Sequence, residues 1–281
     1  MAVYLDWPLA EIPDLVSQYD RYAEIYDLIF KSRGDDINFY VGQACEILPR
    51  GGDILELGTG TGRLAEGLVA AGFGVVGIDF SKGMLRRAYE RQQRIGANFV
   101  PLYADIKTMA LQRKFPLIVA PFGMMAHLLT AAERLAVMRV VFDHLEPGGH
   151  FIFDDLPNWI SGPAKGDTLD SIGAATDPDT ALQVRATSTS IDIAGEPLTL
   201  CYHFLDWFNA DGLIRRVSVR VVFRNTALED DLRWLAEAGF QDVQLLGGFD
   251  RRPFVTAQPS ANARLIVTCV RPPRARRESA S

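Results

Sequence analysis

The sequence predicts an α/β fold: a parallel sheet flanked by helices, with a helical cover at the N-terminus and an antiparallel β insertion after residue 155. Three observations predict it. Between Asp53 and Asp154, short apolar runs alternate with amphipathic helical stretches, the pattern of right-handed βαβ units. A glycine-rich turn, Gly58-Thr59-Gly60-Thr61-Gly62, joins the first apolar run to a helix. Beyond residue 181 the period shortens to two, as in strands with one buried face.

Each element has a local cause. Ile12, Leu15, Val16, Tyr19, Tyr22, Ala23, Tyr26, Ile29 and Phe30 recur in steps that place them on one helix face. A break at Gly34-Asp35-Asp36 precedes a second helix to about Leu48, and Pro49-Arg50-Gly51-Gly52 turns the chain. Strands follow at Asp53–Leu57, Gly74–Ile78, Asn98–Tyr103, Phe115–Ala120 and His150–Asp154. Between them lie helices Arg63–Ala71, one capped by Ser81 and running towards Ile95, and one capped by Thr130 over Ala131–Leu145. Residues 156–181 read as a polar loop. Strand-like runs then span Leu182–Ile193, Leu198–Phe208 and Leu213–Arg224, the last with Leu213, Val217, Val219, Val221 and Phe223 on one face. A helix at Leu228–Ala238, a strand ending near Leu246 and a strand at Arg264–Val270 return to the α/β pattern. The expected organisation is a cover (1–50), a core (51–155), an antiparallel β lid (156–225), completion of the core sheet (226–271) and a disordered basic tail (272–281).

Composition narrows the function classes. The 281 residues carry 29 Lys+Arg against 35 Asp+Glu, a net charge of −6, with no dominant basic stripe, so a nucleic-acid partner is not expected. No apolar run approaches the roughly 20 residues of a membrane span, and the N-terminus shows no signal-peptide pattern. Three widely separated cysteines, Cys45, Cys201 and Cys269, each among apolar neighbours, predict packed, reduced thiols in a cytoplasmic protein.

The glycine turn lets backbone approach a ligand, and the helix that follows offers free N–H groups. A dinucleotide site wants G-x-G-x-x-G, whereas Arg63 occupies the last position of that template here. Asp79, closing the next strand, supplies a carboxylate suited to a ribose diol. The stretch from Asp53 to Asp79, with Phe80-Ser81-Lys82-Gly83-Met84-Leu85, Tyr103-Ala104-Asp105, Pro121-Phe122-Gly123 and Leu145-Glu146-Pro147-Gly148-Gly149, resembles the class I S-adenosylmethionine (SAM) methyltransferases. The resemblance implies a Rossmann-like class I methyltransferase sheet, SAM as methyl donor and S-adenosylhomocysteine (SAH) as product. By it, Gly58 and Gly60 face the amino-acid part and ribose of SAM, and Asp79 binds the ribose hydroxyls. Phe80 and Met84 line the adenine, Asp105 with Ala104 and Ile106 approaches the adenine amine, and Phe122 stands near the reacting methyl.

Tyr19-Asp20-Arg21-Tyr22-Ala23-Glu24-Ile25-Tyr26-Asp27 resembles the cover helix of small-molecule methyltransferases, including glycine and aminosugar N-methyltransferases. That likeness implies Tyr19 near the methyl or acceptor, and Tyr26 with Arg33 on the SAM carboxylate; amphipathic packing is the other reading of these tyrosines. Aminosugar N-methyltransferases also carry a histidine near the place of His127. It is the first candidate to position or deprotonate an acceptor, since an ordinary histidine titrates near neutrality. His203, alternating with Cys201, Leu205 and Trp207, is the second. The base-methylase Asn/Asp-Pro-Pro-Tyr/Phe loop is replaced by Ala120-Pro121-Phe122-Gly123, and Ala120 stands where catechol O-methyltransferases place a metal-binding aspartate. No metal site is expected; Asp154-Asp155 reads as a turn and cap, with a hard cation as the alternative. Trp159, Tyr202, Phe204, Trp207 and Phe208 suggest a flat or apolar acceptor. The expected function is methyl transfer to a small molecule in specialised metabolism, with nitrogen as the first acceptor atom. Carbon methylation of an aromatic, indole-like ring and a catalytically silent SAM-binding regulatory subunit are the alternatives.

Overall fold

In a computed structural model, the described residues are 15–30, 34–155, 164, 166–177, 179–255 and 264–273. The short central strand β1 (Asp53–Leu57) is apolar on both sides, with Ile54, Leu55 and Leu57 fully buried, because helices cover both of its faces. It pairs in parallel with β2 (Gly74–Asp79) on one side and β4 (Phe115–Ala120) on the other. With β3 (Phe99–Tyr103), β5 (Leu145–Asp155), β10 (Gln241–Leu246) and β11 (Leu265–Val270) they form a seven-stranded sheet ordered β10-β11-β5-β4-β1-β2-β3. Only the β10–β11 and β11–β5 pairings are antiparallel. The strand order reverses between β1 and β4, which opens a crevice at their carboxyl ends, where ligands of open α/β sheets bind.

Alternate residues of these strands feed two cores. Leu55, Leu57, Ile118, Phe151 and Phe153 meet helices α6 (Ala131–His144) and α7 (Leu228–Ala238) through Val137, Met138, Trp234 and Leu235. Ile54, Leu117, Val119 and Ile152 meet α3 (Asp35–Ile47), α4 (Arg63–Ala70) and α5 (Lys82–Ile95) through Phe39, Tyr40, Leu64, Leu68 and Ala88. A second, four-stranded antiparallel sheet joins β6 (Asp170–Thr176), β7 (Gln183–Asp192), β8 (Leu198–Asn209) and β9 (Gly212–Arg224) in that order. One face of it, with Val184, Ala186, Leu205, Val219 and Val221, packs on Tyr22, Ala23, Ile25, Ile29 and Phe30 of the N-terminal cover. The cover is in turn tied to the core: Asp20 Oδ1 accepts hydrogen bonds from Ser81 Oγ at 2.6 Å and Gly83 N at 2.7 Å. Gly83 permits that contact, since a Cβ there would meet the Asp20 backbone at 2.8 Å.

Five sequence expectations change. The N-terminal helical face is divided into α1 (Leu15–Tyr22) and α2 (Tyr26–Phe30), because Ile25 N bonds back to Tyr22 O and turns the chain. The expected loop 156–181 contains strand β6. Its sequence, DSIGAAT, lacks the β-branched run that marks a strand, and pairing along β7 holds it in place. β5 begins at Leu145 rather than His150: Leu145 pairs with Phe115 of β4 ahead of a register shift, and Gly148 N donates to Arg271 O and Arg271 N to Gly149 O. Leu213 lies exposed, apart from the buried face of β9, where a register shift between Trp207 and Phe208 precedes the hairpin. Cys201 and Cys269 are buried as expected, but Cys45 is exposed on the outer side of α3. The expected basic tail lies outside the described residues from 274 onward, as does Trp159. Among the described residues, no helix is long and apolar enough to cross a membrane.

Candidate active site

At the carboxyl ends of β1, β2 and β4 lies a cavity of about 280 Å³. It gathers Tyr19, Tyr26, Gly58, Gly60, Asp79, Phe80, Met84, Asp105, Ile106, Phe122 and His127 from the sequence-derived candidates. Ala104 packs against the apolar core instead, its N–H bonded to Asp79 O at 3.1 Å. Arg33 lies outside the described residues.

One wall is made mostly of backbone. Gly58 has φ +66°, and a Cβ there would lie 2.5 Å from Met124 Cγ, so only glycine keeps this corner open. Asp79 Oδ2 accepts from Gly60 N at 2.8 Å, and Oδ1 accepts from Ser81 N at 2.8 Å. Burial raises this carboxyl above its ordinary range, while the amides of Ser81, Gly60 and Phe80 act in the opposite direction. A carboxylate offers about four lone-pair directions, so lone pairs are left for a polar ligand in the cavity. Beneath the glycine turn, burial pushes Glu56 up to about 8, although it accepts a 2.7 Å hydrogen bond from Thr59 Oγ1. The cover closes over this wall: Asp27 accepts from Thr61 Oγ1 and pairs with Arg91, while Asp36 pairs with Arg63.

The opposite wall is made of side chains. Tyr19 of α1 and His127, from the 3₁₀ turn Met124–His127, share a 2.9 Å hydrogen bond between the hydroxyl and Nε2, with the rings edge to face. Phe223 of β9 packs on the imidazole at 4.9 Å. Burial pushes His127 down to about 4 and the Tyr19 phenol well above its usual range, so both are neutral at pH 7. This corrects the expectation of a histidine titrating near neutrality: an enclosed imidazole hydrogen-bonds well but takes up a full proton poorly. Tyr26, likewise buried, is held as a neutral phenol.

His203 does not line the cavity. It lies behind Tyr22 at 5.5 Å, bonded through Nε2 to Cys201 Sγ at 3.3 Å, and burial lowers it to about 4. Of the lid aromatics, the described ones, Tyr202, Phe204, Trp207 and Phe208, do not line the cavity either. Trp207 is buried, with Nε1 donating to Asp177 at 2.9 Å, and Tyr202 stacks on Phe204. Among the described residues, the aromatic lining comes from Tyr19, Tyr26, Phe80, Phe122 and His127. Asp154 and Asp155, considered for a cation, are engaged by Tyr40 and Arg264 and by Arg134 respectively. Sequence reasoning missed Met124, Leu128, Leu129, Lys107 and Glu133 on the lining, since none sits in a recognisable motif.

Comparison with known proteins places this geometry. Residues 54–149 match the methyltransferase domain family. The chain is 28% identical over 146 residues to the dTDP-3-amino-3,4,6-trideoxy-alpha-D-glucopyranose N,N-dimethyltransferase of Streptomyces venezuelae, covering 50% of this chain and 58% of that protein. The match thus spans little more than half of that relative's length. In structure the chain resembles the CcbJ methyltransferase of Streptomyces caelestis, with a TM-score of 0.76 at 22% identity, covering 92% of this chain and 98% of that one. It also resembles the sugar N-methyltransferase KedS8 of Streptoalloteichus, with a TM-score of 0.69 at 22% identity, covering 97% and 99%. With its glycine turn, its Asp79 carboxylate and this topology, the chain carries at residues 54–149 a methyltransferase domain of the class I, Rossmann-like fold.

Proposed function

We propose that the protein transfers the methyl group of SAM to a nitrogen of a small-molecule amine, leaving SAH, within specialised metabolism. The observation that carries this reading is the meeting, in one cavity, of the Gly60–Asp79 cradle with the neutral Tyr19–His127 pair. The N-methyltransferase names among its relatives support nitrogen as the acceptor atom.

When bound, SAM supplies a methyl already activated by a sulfonium, so the protein must align the nucleophile and keep water out. Asp79 would accept from the ribose hydroxyls and Asp105 from the adenine amine, and Phe80 and Met84 would border the base. Tyr26, a neutral phenol on the cavity lining, would donate towards the SAM carboxylate. His127 and Tyr19 hold the acceptor amine through hydrogen bonds. Because both stay neutral, the amine enters the site with its lone pair free, and the pair orients that lone pair rather than stripping a proton from an ammonium.

Calorimetric titration with SAH, followed by mass spectrometry of SAM incubations with dTDP-3-amino sugars, sarcosine, aniline, phenol and indole, tests the proposal. A micromolar SAH complex and a 14-dalton gain on an amine are expected. Folded protein that binds no SAH overturns the donor site. A gain on carbon alone overturns the acceptor atom, and SAH binding with no methylated product across the panel and a wider amine set favours the silent regulatory reading.

A further inference from the structure

We propose that Asp154, Asp155 and Arg134 are positioning residues that hold the His127 turn at two points, Phe122 N just before it and Met125 O within it, and so set the acceptor wall of the site. The inference rests on the methyl-transfer reading of that cavity. Asp154 and Asp155 close β5 side by side and are 0% and 2% exposed. Their side chains diverge. Asp154 Oδ1 accepts the Phe122 N–H and the Tyr40 hydroxyl, each at 2.7 Å, and Oδ2 pairs with Arg264. Asp155 Oδ2 accepts from Arg134 Nη2 at 2.9 Å. Arg134, on α6 and 0% exposed, reaches Asp231 through Nε at 2.6 Å and Nη2 at 2.9 Å, and its Nη1 donates to Met125 O at 2.7 Å.

The two carboxylates therefore grip one short segment: Phe122 N directly at its start, and Met125 O through Arg134 three residues later. That segment needs holding. Phe122 sits at φ +60° and Gly123 at φ +74°, a left-handed pair that L residues with a Cβ avoid, and the 3₁₀ turn carrying His127 follows at once. Such backbone persists only where its surroundings over-determine it. Phe122, Met124 and His127 all line the cavity, whereas Asp154, Asp155 and Arg134 do not. Buried ion pairs add little net stability over apolar residues of the same size, so stability alone does not explain two of them flanking this turn. A guanidinium has five N–H donors in a rigid fork, and here it spans two carboxylates and a carbonyl; a lysine ammonium cannot cover the same three directions.

The test uses the full chain carrying Arg134→Lys or, acting independently at Phe122, Asp154→Asn. Three readouts are taken: SAH affinity by calorimetry, the imidazole nitrogen signals of His127 in histidine-labelled protein (assigned with His127→Gln), and kcat and KM with the amine of the panel that gives product. The expected result is SAH affinity within about threefold of wild type, shifted His127 imidazole signals, and a kcat about tenfold lower, the most that losing the His127 hydrogen bond outright would cost. If Arg134→Lys does not fold, the isosteric Asp154→Asn decides by the same readouts. His127 signals and kcat unchanged in a folded variant overturn the proposal. So does a loss of SAH affinity as large as the loss of kcat, which marks a general structural role. Wild-type protein that binds no SAH defeats the methyl-transfer reading itself, while the imidazole signals still report separately on the clamp.

Discussion

The two walls of the cavity are built by different means. The donor wall comes from the ends of adjacent parallel strands, and its bonds are short in sequence: Gly60 N to Asp79 spans 19 residues and Ser81 N to Asp79 spans 2. The acceptor wall is assembled from distant elements: Tyr19 and His127 are 108 residues apart, and Arg134 and Asp231 are 97 apart. On the proposed reading, backbone amides and one carboxylate would hold the donor. The opposite wall depends on a cover helix and a 3₁₀ turn meeting in space, with Phe223 of β9 packed behind His127.

The largest expected effect separates the walls outright. Asp79→Ala removes the acceptor of a ribose diol, and each hydrogen bond to a charged group is worth about 1.5–3 kcal/mol. SAH affinity measured by calorimetry should therefore fall on the order of 10²-fold or more, with the lid sheet still folded by circular dichroism. An unchanged Kd would remove Asp79 from the donor site. On the other wall, His127→Ala and Tyr19→Phe should each reduce kcat by up to about tenfold, the scale of one neutral hydrogen bond, and leave SAH affinity intact. Because the two groups bond to each other, the double variant should lose less than the sum of the singles. Additive losses in rapid-quench turnover would show that they act separately.

The pH dependence of turnover sharpens the same contrast. With His127 held near 4, its titration lies below the working range, so the acid limb of kcat/KM should follow the acceptor amine. Replacing one panel amine by another of lower pKa should move that limb to lower pH. A limb fixed near 6.5 for every amine would show that His127 takes the proton.

Legibility in the sequence divides along the same line. The apolar runs at 53–57, 74–79 and 115–120 are buried on both faces and need no distant partner to be recognised, so the strands, the glycine turn and Asp79 could all be read directly. Tyr19 and His127 could be proposed only singly, since nothing local shows that a cover helix and the turn after β4 will meet. Burial also reversed the chemistry assigned to His127, because enclosure by Tyr19 and Phe223 is a tertiary property. β6 escaped notice for a related reason: its seven residues are strand only because β7 pairs with them. Asp154-Asp155 looked like a surface turn because consecutive acids are usually solvated, and the arginines that neutralise them, Arg264 and Arg134, lie 110 and 21 residues away.

The last contrast concerns stability and reads each wall through its own buried group. Glu56, under the donor wall, titrates near 8 when folded and near 4.3 when unfolded. Between those values the unfolded chain is ionised and the folded one still holds its proton, so this group makes the protein less stable as pH rises, by at most about 1.4 kcal/mol per pH unit. His127 and His203, near 4 when folded against about 6.5 unfolded, do the opposite: the unfolded chain takes up protons as pH falls from 6.5 to 4, and stability is lost in that direction. Denaturant titrations of wild type and Glu56→Gln at several pH values isolate the first slope, since the difference between the two proteins cancels every other group. The variant should gain on wild type steadily from pH 5 to 8 and level off above. A constant difference would mean that Glu56 is ionised in the folded protein, with its charge held by Thr59 and the nearby arginines. The matching comparison with His203→Gln should open a gap only below pH 6.5, which would locate the alkaline sensitivity beneath the donor wall and the acid sensitivity behind the acceptor wall.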